Sequence, residues 1–390
     1  MKILILSPFF HPEPISTGKY NSQLAKALVS AGHTVSAICS YPIYPQWQPI
    51  DVTEPEIPGT HVVRGGRKLK YPNKTLARRA ILEGWYAWHV LKNIRAESKD
   101  CDAIVCVYPP SLFGLFAGLI ANRKQKRVIG IIHDLQGVYA KKSSGIISKI
   151  IQKTIFHVER LSFNACDKLI FLSEEMRSWS ISQYGLPKNK TLTNYPFTTI
   201  SADTSTGDDY ILSILPPKEN FIVYSGALGE KQNPYALYNF FDRLTKENPS
   251  WKAAIFSQGP IFEQLKINNK NKSIIINQLV DAEYLPSLLA RSDIQVVPQA
   301  PGTSDGSLPS KLPNIIKSQT RLLCITDPKS ELGNIVEKYS NGSVCYSWNE
   351  DEILKAFNSL SNRKLPMNES DEQIIKMFQV ETLVESITSN

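Results

Sequence analysis

Along the first half of the chain, short apolar runs alternate with longer stretches whose apolar residues recur every third or fourth position. KILIL (2–6), TVSAICS (34–40), AIVCVY (103–108), RVIGIIH (127–133) and KLIFLS (168–173) predict strands, and their dense apolar character is that of strands covered on both faces. Between the first two, Tyr20 to Ala31 keeps helical spacing, and Gly32 follows where a helix C-cap is expected. Strands separated by helices build a parallel sheet, so this half reads as a doubly wound α/β domain.

The alternation stops at TTISADTSTGDDY (198–210), a polar stretch without periodicity that reads as a linker. It resumes with FIVYSG (221–226), WKAAIFS (251–257), SIIINQ (273–278), IQVVP (294–298) and RLLCIT (321–326). The expected division is therefore an N-terminal domain over 1–197, a linker over 198–218 and a C-terminal domain over 219–374. A C-terminal helix near 375–390 is expected to pack back on the first domain. In doubly wound sheets ligands bind beyond the carboxyl ends of the strands, so the residues that follow each strand, facing a cleft between the domains, are where chemistry is expected.

Composition narrows the classes. At 390 residues the chain exceeds one ordinary core, and 42% hydrophobic with 21% charged residues excludes a disordered or collagenous protein. Cys39, Cys101, Cys106, Cys166, Cys324 and Cys345 form no close CxxC pair and have no His placed to complete a metal site, so a reduced, cytoplasmic setting is expected. MKILILSPFF, broken by Pro8, reads as a first strand rather than a signal peptide, and no window approaches the ~20 apolar residues of a spanning helix. The protein is expected to be soluble or peripheral.

The net charge of +8 raises the question of an anionic partner. Basic residues crowd RKLKYPNKTLARR (67–79), and RAILEGWYAWHVLKNIR (79–95) sets Trp85, Tyr86, Trp88 and Leu91 among Arg79, Lys92 and Arg95. Such a helix suits an anionic lipid surface, apolar side down, and the same spacing also suits Trp residues facing a core. KKSSGIISKIIQK (141–153) repeats the pattern. Arg78, Arg79, Trp85, Trp88 and Lys92 are the candidate membrane or acceptor contacts. Nucleic acid is not expected, because no RNP, zinc-finger or homeodomain pattern accompanies the charge.

Candidate chemistry lies after the strands. Ser16, Thr17 and Gly18 precede the first helix, where a Gly lets a ligand approach exposed N–H groups or merely serves the turn. GxGxxG is absent, which counts against nicotinamide and flavin enzymes. His133 and Asp134 follow RVIGIIH, placed either to bond a sugar hydroxyl near neutral pH or only to pack at a strand end. In FIVYSGALGEKQN, Gly226 and Gly229 follow a strand and Lys231 comes two residues later, a pattern suited to a diphosphate. GSLPSKLPN (306–314) adds Ser310 as an expected N-cap, Lys311 as a second cation, and Asn314 one turn further on, within reach of a ribose hydroxyl. The bland reading of such a Lys is that it points into water.

These features resemble the retaining glycosyltransferases of family 4, which have the GT-B fold of two facing Rossmann-like domains with an interdomain cleft. Gly18, AGHTV (31–35), the HD at 133, SEEMRSWSISQYGLPKNKTLTNYP (173–196), YSGALGEKQ and LPSKLPN follow in the family's order over almost the whole chain. More narrowly, the chain resembles the branch that builds O-antigen, capsule or colanic-acid units, including L-fucosamine-type transferases, in which PSKLxN replaces the commoner Glu-bearing motif. Ala227 stands where many relatives carry a phosphate-binding Arg, and Ser318 to Arg321 replace the usual small-Gly-x-Pro.

The resemblance implies that Lys231 and Lys311 neutralise the donor diphosphate, that Asn314 stands at the ribose, that His133 or Asp134 touches the transferred sugar, and that Gly18 approaches phosphate or acceptor. It implies a UDP-linked donor such as an L-FucNAc nucleotide, a polyprenyl-diphosphate-linked saccharide acceptor, retention of configuration and no cofactor. It likewise implies that no metal is needed, with which the lack of a DxD motif near a strand end agrees. The expected location is the inner face of the cytoplasmic membrane. A UDP-sugar 2-epimerase and a non-catalytic membrane scaffold that binds nucleotide sugar are the competing readings.

Overall fold

Residues 1–135, 146–200, 208–304, 308–363 and 365–389 are described by the computed structural model. The chain forms two units, Met1–Tyr195 with Gln379–Asn390, and Pro196–Phe378.

In the first unit the elements are β1 (Lys2–Leu6), α1 (Ser16–Ser30), β2 (Thr34–Ser40), β3 (Thr60–Gly65), α2 (Thr75–Glu97), β4 (Ala103–Tyr108), α3 (Leu112–Lys124), β5 (Arg127–Ile132), α4 (Ile146–Asn164), β6 (Lys168–Phe171), α5 (Glu174–Tyr184) and β7 (Thr191–Thr193). The strands form one parallel sheet in the order β3-β2-β1-β4-β5-β6-β7. Leu4, Ile5, Ile104, Val105 and Ile129 are wholly buried, each gaining about 1.5–3 kcal/mol from leaving water. That burial on both faces explains why the interior strands read as unbroken apolar runs.

Local signals set the helix ends. After α1 the chain turns at Gly32, whose φ of +82° favours Gly and whose N–H donates to the Val29 carbonyl. Ser173 caps α5 by accepting from the Met176 N–H at 3.1 Å, with Glu174 and Glu175 in its first turn.

The second unit contains α6 (Asp208–Ile214), β8 (Asn220–Ser225), α7 (Pro234–Glu247), β9 (Trp251–Ser257), α8 (Pro260–Asn268), β10 (Ile274–Gln278), α9 (Leu285–Arg291), β11 (Ile294–Pro298), α10 (Leu312–Lys317), β12 (Arg321–Ile325), α11 (Glu331–Lys338), β13 (Gly342–Cys345), α12 (Glu350–Ser361) and α13 (Glu369–Met377). Its parallel sheet runs β10-β9-β8-β11-β12-β13. Crossovers leave β8 toward one edge and return through β11 toward the other. The loops after β8 and β11 therefore flank the topological switch point, where doubly wound sheets bind ligands.

Part of the expected linker is structured. Residues 201–207 lie outside the described residues, but α6 follows at once, and its Ile211 and the following Leu215 are buried with Phe221 and Val223 of the second sheet. The C-terminal stretch is two helices rather than one, since α13 ends before Phe378 and α14 (Val380–Thr388) belongs to the first unit beside α1. Its last carbonyls are satisfied by cations: Lys168 Nζ donates to Ser386 O at 3.0 Å and Arg127 Nη2 to Ser389 O at 2.7 Å.

Candidate functional site

At the switch point of the second sheet, two loops lie side by side. The Ala300 N–H, after β11, donates to the Lys231 carbonyl, after β8, at 2.7 Å. Gly226 opens the first loop at φ +142°, its N–H donating to Phe256 O at 3.0 Å. A Cβ on Gly226 would stand 3.0 Å from Lys311 Nζ, so glycine is required by backbone conformation and by the approach of that amine.

Lys311 defines the site. The residue is half-buried, but its Nζ is shielded from solvent and has no hydrogen-bond partner among the described residues. It lies 3.7 Å from the ring centroid of Tyr224, whose hydroxyl is turned away to donate to Ala227 O at 2.6 Å. Burial pulls the amine down to about 7. A desolvated cation–π contact is worth about 2 kcal/mol, less than the several kcal/mol that isolating a charge costs, so the amine is poised to gain from an arriving anion.

The neighbouring expectations are met unevenly. Gly229 has open space at its Cβ position, the nearest atom being Gln232 Oε1 at 3.6 Å, and its N–H donates to that oxygen at 3.0 Å. Lys231 is exposed in a turn of 3-10 helix, Glu230–Gln232, beside Gly229. Ser310 does not cap the helix: it is exposed, and Lys311 itself holds the N-cap position of the six-residue α10, with Pro313 in its first turn. Gly306 and Ser307 lie outside the described residues.

Asn314, expected at the ribose, is bonded within its own domain. Its Oδ1 accepts from the Thr199 N–H at 2.8 Å and its Nδ2 donates to Thr199 Oγ1 at 2.9 Å, which uses both ends of a buried amide to hold the segment entering the domain.

In the first unit His133 follows β5, its N–H donating to Tyr108 O at 3.0 Å and its ring meeting Tyr20 edge-on at 5.7 Å. Burial drives the imidazole down to about 4, so at neutral pH it is an uncharged hydrogen-bonding group rather than a titrating one. Asp134 Oδ1 accepts from the Leu135 N–H at 3.0 Å. Gly18 lies inside α1 rather than before it, and its missing side chain has a packing cause: a Cβ there would be 2.5 Å from Glu13 O.

The aromatic helix α2 sends its two Trp residues different ways. Trp88 is 57% exposed with Lys92 Nζ 5.5 Å from its ring, whereas Trp85 turns inward to stack on His89 at 5.1 Å and pack on the core. Arg79 and Lys92 are exposed, but Arg78 stacks on Trp47 at 3.9 Å and leaves the outward-facing set. Of the second basic stretch, residues 141–145 lie outside the described residues.

Sequence reasoning missed Tyr224, Glu13, Trp47 and Tyr71. The available signals were an aromatic two positions before Gly226 and a lone carboxylate between prolines in HPEP (11–14). Among the described residues no cluster of three His, Cys, Asp or Glu could hold a metal ion, and no helix is long and apolar enough to cross a membrane.

Residues 17–197 match the sequence family described as Glycosyltransferase Family 4. The chain is 26% identical over 379 residues to WcaI of Escherichia coli (strain K12), named for colanic acid biosynthesis glycosyl transfer, covering 91% of each chain. By fold it is similar to WaaG, a glycosyltransferase involved in lipopolysaccharide biosynthesis, at TM-score 0.69 and 11% identity over 100% of both chains. It is also similar to Anabaena HepE in complex with UDP and glucose, at TM-score 0.64 and 13% identity over 99% of this chain and 98% of that one. The architecture is that of GT-B glycosyltransferases, two Rossmann-like α/β domains.

Proposed function

We propose that the protein transfers a sugar from a nucleotide-sugar donor, held by its C-terminal domain, to a lipid-linked saccharide in surface-polysaccharide assembly. The observation that carries this is the Lys311 amine, desolvated, without a hydrogen-bond partner among the described residues and packed against Gly226 at the switch point. A donor diphosphate supplies the missing counter-anion. As the glycosidic C–O bond breaks, its electron pair moves to the departing diphosphate oxygen, where the Lys311 ammonium and loop N–H groups stabilise it. The acceptor hydroxyl forms the new bond from the same face, which retains configuration, and releases its proton toward the leaving group. The Lys311 ammonium and the loop N–H groups take the charge-neutralising role, so activity is expected to survive chelators.

The HepE complex supports UDP as the nucleotide, and the L-fucosamine-type resemblance makes UDP-L-FucNAc the first donor to test. A donor that binds the native state raises its melting temperature. UDP-sugars are expected to protect the wild type against heat and not Lys311→Ala, and equal protection of both would remove the proposed site.

The lipid-linked acceptor is favoured by the outer face of α2, α3 and α4, which pack in succession. Trp88, Leu91, Leu119, Ile150 and Leu161 are exposed there, with Lys92, Lys153 and Arg160 among them. Acidic groups of these helices are engaged elsewhere: Glu83 accepts from Ser111 N and Leu112 N, Glu97 lies 3.5 Å from His61, and Glu159 accepts from Tyr184. An apolar face left with cations suits anionic lipid. Co-sedimentation with vesicles containing anionic lipid is expected to fall when Trp88, Leu91 and Lys92 are replaced together, and unchanged binding would exclude this face.

A further inference from the structure

The loops after β1, β2 and β3 form a small cluster apart from the main core of the first unit. Phe9, Ile43 and Leu82 are buried in it, and Ile15, Trp47 and Tyr71 pack around them. Two charged groups fix its walls. The Glu13 carboxylate, buried, accepts from Ile43 N at 2.8 Å and ties the first loop to the second. Arg64 donates to His11 O at 2.9 Å and to Ser40 O at 3.2 Å, tying the end of β3 to both.

On this rigid base stand groups with nothing to bind. The Tyr71 hydroxyl is shielded from solvent and has no hydrogen-bond partner among the described residues. Arg78 lays its guanidinium on the Trp47 ring at 3.9 Å, and its shielded Nε is likewise unpartnered, so its stacked face is covered while its N–H edge is left to make bonds. Trp47 and Tyr71 meet edge to face at 6.0 Å. Beneath Arg78, α2 begins without a side-chain cap and without an acidic residue in its first turn, which adds uncapped N–H groups and the positive end of a long helix.

We propose that Trp47, Tyr71 and Arg78 form a binding shelf for the phosphate-bearing end of a glycosyl diphosphate, the acceptor of the transfer reaction. The guanidinium edge and the Tyr71 hydroxyl donate to phosphate oxygens, and the exposed part of the indole carries the adjoining sugar ring. The position beyond the carboxyl ends of three adjacent strands is where such sheets place ligands. The shelf rests on the transferase reading for its role, but its chemistry is testable alone.

Calorimetry with octyl-diphosphate-linked N-acetylglucosamine, the neutral octyl N-acetylglucosaminide and inorganic pyrophosphate separates the possibilities. Wild-type protein is expected to bind the diphosphate glycoside well above either of the others. Arg78→Ala should weaken that binding about tenfold or more and Tyr71→Phe, which removes a single hydroxyl, about threefold, both leaving UDP binding unchanged. Equal affinity for the neutral glycoside, equal affinity for pyrophosphate, or undiminished binding by both variants would each overturn the shelf. If the wild type binds the diphosphate glycoside through Arg78 yet no UDP-sugar, the shelf stands and the donor reading fails.

Discussion

Each unit buries one base just beyond its sheet, and the two bases behave differently. Lys311 in the second unit and His133 in the first are both stripped of water, which disfavours the charged form of each. Starting from a high intrinsic basicity, Lys311 is brought only to about 7, so it still gains a proton when an anion arrives; His133, starting lower, is brought to about 4 and stays neutral. The same physical cause thus yields a switchable cation in one domain and a fixed neutral hydrogen-bonding group in the other.

The contrast is broken most severely at Lys311. Lys311→Met keeps the volume and removes the charge, and turnover is expected to fall about 100- to 1,000-fold, the cost of losing one electrostatic contact to the leaving group. Unliganded, the same variant should be more stable by about 1 to 3 kcal/mol, because an uncompensated buried ion is replaced by an apolar chain. The sign follows from linkage. Between pH 7 and the ordinary lysine range, the unfolded chain holds a proton that the folded one lacks, so wild-type stability rises with pH there. The variant's advantage should be full below pH 7 and vanish near pH 10 in thermal melts. A variant less stable than wild type at pH 6 would show that the amine has a native partner.

Donor binding sharpens the comparison through protons. Since the diphosphate selects the protonated amine, donor affinity should weaken by up to about tenfold per pH unit above pH 7. Calorimetry in buffers of different ionisation enthalpy should register uptake approaching one proton at pH 8 and little at pH 6. Lys311→Met should show none, whereas His133→Asn should keep the wild-type uptake. Uptake that disappears with His133→Asn would assign the titrating group to the wrong domain.

How legible these features were depended on geometry. Interior strands declared themselves because both faces are buried; β3, β7 and β13, absent from the expectation, are all sheet-edge strands, and the half-exposed positions of β3 break the apolar run. Lys311 was legible as a cation after a strand, but the Tyr224 ring beneath it comes from a loop-distant strand that no local pattern connects to it. Gly18, expected either to admit a ligand or merely to serve the turn, makes room for Glu13, since a missing Cβ does not say what fills its place. Trp85 and Trp88, three residues apart on one helix, differ too little in phase for spacing to send one inward and the other out.

Asn314 supplies the smallest and most discriminating effect. Both ends of its amide are committed to Thr199, so Asn314→Ala should cost about 1 to 3 kcal/mol of stability by leaving a backbone N–H unpaired. The amide keeps one N–H and one lone pair beyond these two bonds, but it is oriented by Thr199 and serves the fold first, so UDP affinity should change by less than about twofold, within what a lost neutral hydrogen bond would exceed. Loss of donor affinity at unchanged melting temperature would return Asn314 to the ribose and extend the donor site from the Lys311 amine into α10.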